Sequence, residues 1–145
     1  MIESALRHDC DAKGCAAKVL APKLHAFDHC FPGRIAMGDI DMSVERNGWI
    51  LLVEWKRGTQ TLGFVQRNRP QVRQAQAFTL NSPRQTFIFA LGDSLSMDVA
   101  AFRVMRNGDW LHGWQKGRER FEQYLKSWSA FAEAQEPLNA PRLES

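Results

Sequence analysis

Four ionisable side chains within one short stretch of this chain have the types and spacing for phosphoryl chemistry. Asp39, Asp41, Glu54 and Lys56 lie on either side of Asn47-Gly48, in the segment Gly-Asp-Ile-Asp-Met-Ser-Val-Glu-Arg-Asn-Gly-Trp-Ile-Leu-Leu-Val-Glu-Trp-Lys-Arg. Asn-Gly between two apolar, β-branched runs is the preferred sequence for a type I′ hairpin turn, whose two central residues need φ > 0. Such a turn sets Arg46 opposite Trp49, Asp41 opposite Glu54 and Asp39 opposite Lys56. Side chains alternate between faces along a strand, so Asp39, Asp41, Glu54 and Lys56 share one face. Ile40, Met42, Val44, Leu51, Val53 and Trp55 then form the other, a core face. A β-bulge in either strand would shift this pairing.

Directly opposed cross-strand residues have Cβ atoms roughly 4.5–5.5 Å apart, so two carboxylates there repel one another unless a cation lies between them. A hard divalent ion removes the objection. Mg²⁺ and Mn²⁺ favour carboxylate oxygens, and Mg²⁺ commonly uses only one or two, completing its shell with water and substrate phosphate. The implied substrate is a phosphodiester. A metal there would activate water and offset charge on the phosphoryl group, while an adjacent lysine would orient the nucleophile or stabilise developing negative charge. Taken alone, Glu-x-Lys on a strand is ordinary surface chemistry; its conjunction with an opposed acid and an apolar reverse face points to a site.

Asp41 followed by Glu54-Trp55-Lys56 resembles the Asp…Glu-x-Lys signature of the PD-(D/E)XK nuclease superfamily, and the block from Asp39 to Lys56 is most similar to small phage and prophage members. The resemblance implies a single-domain, restriction-endonuclease-like α/β core with a central mixed sheet flanked by helices. It implies a Mg²⁺- or Mn²⁺-dependent DNA endonuclease of phage type, with RNA an open alternative. Asp41 and Glu54 would hold the metal with the backbone carbonyl of Trp55, and Lys56 would assist attack. Gly38 stands where the family often has a proline before its aspartate, and Asp39 competes with Asp41 for the metal; Asp41 is preferred because it opposes Glu54. Many such nucleases are dimers in which each protomer cuts one strand, so a homodimer is compatible with the resemblance.

The elements that must position these groups can be read downstream. Thr61 to Val65 is either a short strand or the approach to a helix at about 70–80, with Pro70 in its first turn. On that helix Gln71, Gln74 and Phe78 share a face, and Arg67, Arg69 and Arg73 cluster near its start. The resemblance gives a glutamine of this helix a role beside the metal-bound water, for which Gln74 is the choice; the arginines are candidates for contacts to DNA phosphates, which position the backbone without reading sequence. Thr86 to Leu91, an unbroken apolar run, predicts a strand buried on both faces, as in parallel sheets. Val99–Met105 and Trp110-Leu111 flank a second Asn-Gly turn at Asn107-Gly108. A helix from about 116 to 133 carries Phe121, Tyr124, Leu125, Trp128 and Phe131 as a core stripe. Trp55 and Trp128 are assigned to core, whereas Trp110 and Trp114 fit either core or base stacking.

Composition permits one domain spanning 1–145: a helical segment over 1–33, a core over 34–112, the helix of about 116–133 and a frayed tail over 136–145. The 145 residues are 44% hydrophobic and 24% charged, with formal charge +3, a globular balance with a mild preference for polyanions. No run approaches the ~18 apolar residues of a membrane span, and the start lacks a basic-then-apolar leader, so no membrane partner and a cytoplasmic location are expected. Gly-rich phosphate loops, Gly-x-Ser-x-Gly elbows and His-Glu-x-x-His motifs are absent from the sequence.

The N-terminal third offers a competing chemistry. Cys10, Cys15 and Cys30, with His8, His25 and His29, contain enough ligands for one structural Zn²⁺, although Cys10-x₄-Cys15 is looser than a usual finger pair. Three cysteines are more simply reduced thiols. Two other functional classes therefore stand beside the nuclease: a non-cleaving nucleic-acid-binding module, and a zinc-stabilised phage interaction or inhibitor protein. Metal-dependent cleavage separates the nuclease from both.

Overall fold

A computed structural model of the chain describes residues 26, 29–30, 40–93 and 95–138. The chain divides into two compact units, Met1–Met37 and Gly38–Ser145. In the first, His29 Nε2 and Cys30 Sγ lie 3.5 Å apart, both residues exposed. Cys10, Cys15, His8 and His25 of the zinc reading fall outside the described residues, as does Asp39.

The second unit is a mixed α/β structure with a six-stranded, mostly antiparallel sheet. Its elements run β1 (Met42–Arg46), β2 (Trp49–Arg57), α1 (Phe64–Arg67), α2 (Arg69–Thr79), β3 (Gln85–Asp93), β4 (Asp98–Arg106), β5 (Asp109–Trp110), β6 (Gln115–Lys116) and α3 (Arg118–Glu133). The sheet order is β1-β2-β3-β4-β5, with β6 also on β4. Strands β2 and β3 are parallel and are joined through α1 and α2; the other pairs are antiparallel. Thr61 to Val65 is thus a helix approach and not a strand.

Both Asn-Gly turns form where expected, with positive φ at Asn47, Gly48, Asn107 and Gly108. They set the registers Arg46↔Trp49 and Arg106↔Asp109. Each turn is also docked onto a helix. The Asn47 side-chain amide donates to the carbonyls of Ala132 (3.2 Å) and Glu133 (3.1 Å), in the last turn of α3, where helix carbonyls lose their intrahelical i+4 partners. Gly108 N–H donates to the buried Thr79 hydroxyl, and its carbonyl accepts from Gln76 Nε2, both at 3.0 Å.

The sheet is buried on both faces, as alternation along β2 and β3 requires. On one face Leu51, Val53, Ile88, Ala90, Phe102 and Val104 pack against Phe121, Trp128 and Ala132 of α3. On the other, Phe87, Phe89, Leu91 and Met105 meet Phe64 of α1 and Val72 and Ala75 of α2. Trp55 and Trp128 belong to the first core, as the sequence pattern predicts. Trp110 and Trp114 pack against the second. The α3 stripe departs from expectation at its end: Phe131 is 48% exposed, yet its ring meets the Trp49 ring edge-on at 5.1 Å.

Among the described residues no helix is long and apolar enough to cross a membrane.

Candidate active site at the end of the hairpin

Trp55 anchors the Glu-x-Lys strand. Its ring turns into the α3 core and meets Phe121 edge-on at 6.2 Å, so the flanking Glu54 and Lys56 emerge on the opposite face, the one covered by α1 and α2. In the parallel ladder Glu54 lies beside Phe89 and Lys56 beside Leu91. Lys56 Nζ is 3.3 Å from Glu54 Oε1, and the two side chains are 28% and 13% exposed. The pair is thus set into the wall of the second core and is not a solvated surface pair.

Asp41 meets this strand at the Trp55 backbone and not opposite Glu54, as the simple hairpin expectation has it. The regular ladder ends at Met42↔Val53, one residue short of Asp41. Asp41 is exposed at a bend, and its Oδ2 accepts a 2.6 Å hydrogen bond from the Trp55 N–H. In an antiparallel pair the N–H and C=O of one residue point to the same neighbour. The Trp55 carbonyl therefore faces the same β1 edge that the Asp41 carboxylate occupies. A local carboxylate-to-backbone bond has replaced the next rung of the ladder, a competition that short acidic side chains often win.

Beyond Lys56 the ends of β2 and β3 open into a cavity of about 500 Å³, lined by Lys56, Gln60, Phe64, Arg67 and Asn68 among others. Asn68 Nδ2 donates to the Phe64 carbonyl at 3.0 Å. Asn68 also begins α2 with no side-chain cap on it and no acid in its first turn, so the positive end of that helix is directed to this region. A neighbouring cavity of about 600 Å³ shares Arg57, Gly58 and Thr59 and is bounded by Asp93 and Asp98, which oppose each other in the β3–β4 register. Asp93 Oδ1 is engaged by the Leu95 N–H at 2.8 Å.

The other sequence-derived residues are distributed unevenly. Gln74 is exposed on α2 and does not line the cavity. The buried stripe of α2 is Val72, Ala75 and Thr79, which turns Gln74 outward. Arg69 and Arg73 are exposed on the same helix. Arg67 lines the cavity, but its guanidinium is engaged by backbone: Nη1 donates to Leu62 O at 2.6 Å and Nη2 to Gln60 O at 2.9 Å. Sequence reasoning missed Asn68 and the loop function of Arg67. It also passed over a charge segregation: from Trp55 to Gly92 the chain has Lys56, Arg57, Arg67, Arg69, Arg73 and Arg84 and no Asp or Glu, so the modest net charge conceals a uniformly basic stretch on the α1–α2 crossover.

Among the described residues no group of three or more His, Cys, Asp or Glu side chains is gathered to hold a metal. The donors that the sequence motif nominates are the carboxylates of Asp41, bonded to the Trp55 N–H, and of Glu54, with the Trp55 carbonyl. An all-oxygen set with two carboxylates suits Mg²⁺ or Mn²⁺, which retain several waters, and is a poor set for zinc. Tyr124, whose hydroxyl is pushed up by burial against an opposing effect of Arg106, packs on the α3 face with Phe102 and has no part in this arrangement.

None of the known protein families, curated proteins or solved structures compared with this chain matches it.

Proposed function

We infer that the chain is a Mg²⁺- or Mn²⁺-dependent DNA endonuclease built on a restriction-endonuclease-like core. The observation that carries this reading is the bond from the Trp55 N–H to Asp41. It draws a second carboxylate to the middle of Glu54-Trp55-Lys56, at the end of a strand that opens on a cavity. The β2–α1–α2–β3 unit, with parallel strands and a basic crossover, supports a polyanionic substrate approaching over α1 and α2.

Asp41, Glu54 and the Trp55 carbonyl would hold the divalent ion, which when bound supplies Lewis-acid polarisation of the phosphoryl oxygen and a more acidic water. Glu54 is positioned rigidly because its strand is buried on both faces. Lys56, on the same face and at the cavity, exchanges its contact with Glu54 for one with the attacking water or the non-bridging phosphoryl oxygen, where a cation counters charge that develops in the transition state. Arg69 and Arg73, exposed on the first turns of α2, hold flanking phosphates and carry affinity without base information. Arg67 acts on the loop beside the cavity. A pair of protomers, each cutting one strand, is the assembly this mechanism expects on duplex DNA.

The test is cleavage of supercoiled, linear and branched DNA with Mg²⁺, with Mn²⁺ and with chelator, for the wild-type protein and Glu54→Gln. Metal-dependent products that vanish in the variant support the reading. DNA binding with no cleavage of any substrate under either metal would replace it with a binding module.

A further inference from the structure

One apolar side chain stands out in the basic stretch beside the cavity. Leu62 is 79% exposed, which for a single leucine on a loop is unremarkable in itself. Its backbone is what sets it apart. The loop leading to α1 has three successive carbonyls engaged by that helix: Gln60 O and Leu62 O accept from the Arg67 guanidinium, and Thr61 O accepts from the Phe64 N–H at 3.2 Å. Phe64 in turn is buried at 2% exposure, with its ring against Phe89 at 5.3 Å and Trp114 at 5.1 Å. The loop is therefore fastened to the core, and it holds Leu62 out into solvent. Gly63 completes the device. Its φ is +76°, and a Cβ there would lie 3.0 Å from Arg67 Nη1, so any side chain would strain the backbone and crowd the clamp.

A fixed, projecting leucine on a loop whose Gln60 and Phe64 line a cavity, within a segment that has six cations and no acid, matches the chemistry of a nucleic acid more closely than that of a protein partner. Cations attract the phosphates, and an apolar tip held rigidly can enter the stack between bases, as wedge residues do in proteins that kink DNA. Gln60, on the same clamped loop, and Lys56 line the same cavity, so a wedge here acts next to the phosphate presented to Lys56.

We propose that Leu62, clamped by Arg67, is a wedge that unstacks duplex DNA beside the site, and that the substrate class is duplex whose stacking is already interrupted: nicked, mispaired or branched. This rests on the nuclease reading for its position relative to the scissile phosphate, but unstacking can be measured without cleavage. Unstacking costs a few kcal/mol per step, least where the stack is already broken. A protein that must unstack its substrate therefore favours such substrates, and the wedge, which offsets that cost, is most needed on intact ones.

The experiment binds wild type, Leu62→Ala and Arg67→Ala to short duplexes with 2-aminopurine at successive positions, in Ca²⁺, and follows the fluorescence that rises when a base leaves the stack. Wild type should produce a rise at one or two adjacent positions, absent in Leu62→Ala and reduced in Arg67→Ala. In parallel, with Mg²⁺ or Mn²⁺, Leu62→Ala should lose about tenfold more rate on intact than on nicked duplex, equivalent to roughly 1.4 kcal/mol of missing unstacking assistance. A wild-type fluorescence rise that survives in Leu62→Ala, the absence of any rise, or failure to bind duplex overturns the wedge. Loss of cleavage with a Leu62-dependent rise overturns the nuclease reading alone, and cleavage without such a rise overturns the wedge alone.

Discussion

The Asp41 carboxylate accepts its hydrogen bond from the backbone N–H of Trp55, the residue between Glu54 and Lys56, at 2.6 Å. This ties the end of β1 to the middle of the Glu-x-Lys strand through a side chain where the regular ladder has stopped. One bond occupies only part of a carboxylate's acceptor capacity, which extends to about four lone-pair sites, so the same group can serve a cation. Asp41→Asn keeps an oxygen for the Trp55 N–H and removes the charge. It should lower single-turnover cleavage by at least about a hundredfold, comparable to loss of other transition-state electrostatic groups, with a melting temperature close to wild type. Asp41→Ala should lose activity and also stability, since the Trp55 N–H is left without that partner. An Asp41→Asn protein that cuts normally would remove Asp41 from the proposed metal site.

Lys56 and Arg73 should separate chemistry from binding. Lys56→Met removes the cation at the cavity and should reduce the rate at saturating DNA by orders of magnitude, with affinity changed little. Arg73→Ala should weaken binding uniformly across sequences and reduce the salt slope by about one, leaving the saturated rate near wild type. A Lys56→Met protein that turns over normally once saturated would leave the lysine no chemical role.

Much of this site is legible in the sequence, and the failures have identifiable causes. Asn47-Gly48 fixes the turn and therefore the register, so Met42↔Val53 and the facing of Glu54 and Lys56 follow from alternation alone. The end of the ladder does not follow, because whether Asp41 continues the strand or folds back onto the Trp55 N–H depends on a local hydrogen bond with no periodic signature. On α2, the spacing of Gln71, Gln74 and Phe78 suggests a functional face. The sheet instead takes Val72, Ala75 and Thr79, and packing decides the helix rotation. The cluster of Arg67, Arg69 and Arg73 marks a basic surface but does not say which guanidinium meets backbone: only the fold brings Gln60 O and Leu62 O to Arg67. The sequence leaves Trp110 and Trp114 ambiguous because their partners, Phe89 and Phe64, come from distant parts of the chain.

Arg67 and Arg73 should consequently behave differently, although the sequence makes both candidates for phosphate contacts. Arg67→Ala frees the carbonyls of Gln60 and Leu62 and should speed amide exchange at Phe64, whose N–H bonds Thr61 O, while leaving the salt slope of DNA binding close to wild type. Arg73→Ala should lower the slope and leave that exchange unaltered. An Arg67→Ala salt slope reduced by a full unit would show the guanidinium on a phosphate and not on the loop.

The Asn47 turn offers a stability test independent of function. Asn47 has φ +52°, and its amide nitrogen donates to Ala132 O and Glu133 O at the end of α3. Arg46 reinforces the junction through Glu133 at 2.7 Å, an exposed pair of modest worth. Asn47→Gly tolerates the backbone but removes the donor, and should cost about 1 kcal/mol, the net value of a typical hydrogen bond. Asn47→Ala loses the donor and also the short polar side chain whose local hydrogen bonding lets asparagine tolerate the left-handed region, adding up to about 1–2 kcal/mol. Asn47→Asp retains size and the tolerance of acidic and amide residues for positive φ, but sets a carboxylate against the negative end of α3, so it should fall below Asn47→Gly in stability. Urea unfolding of the three variants should therefore rank glycine above both aspartate and alanine; an aspartate variant as stable as wild type would mean that the Asn47 amide does not hold the helix end.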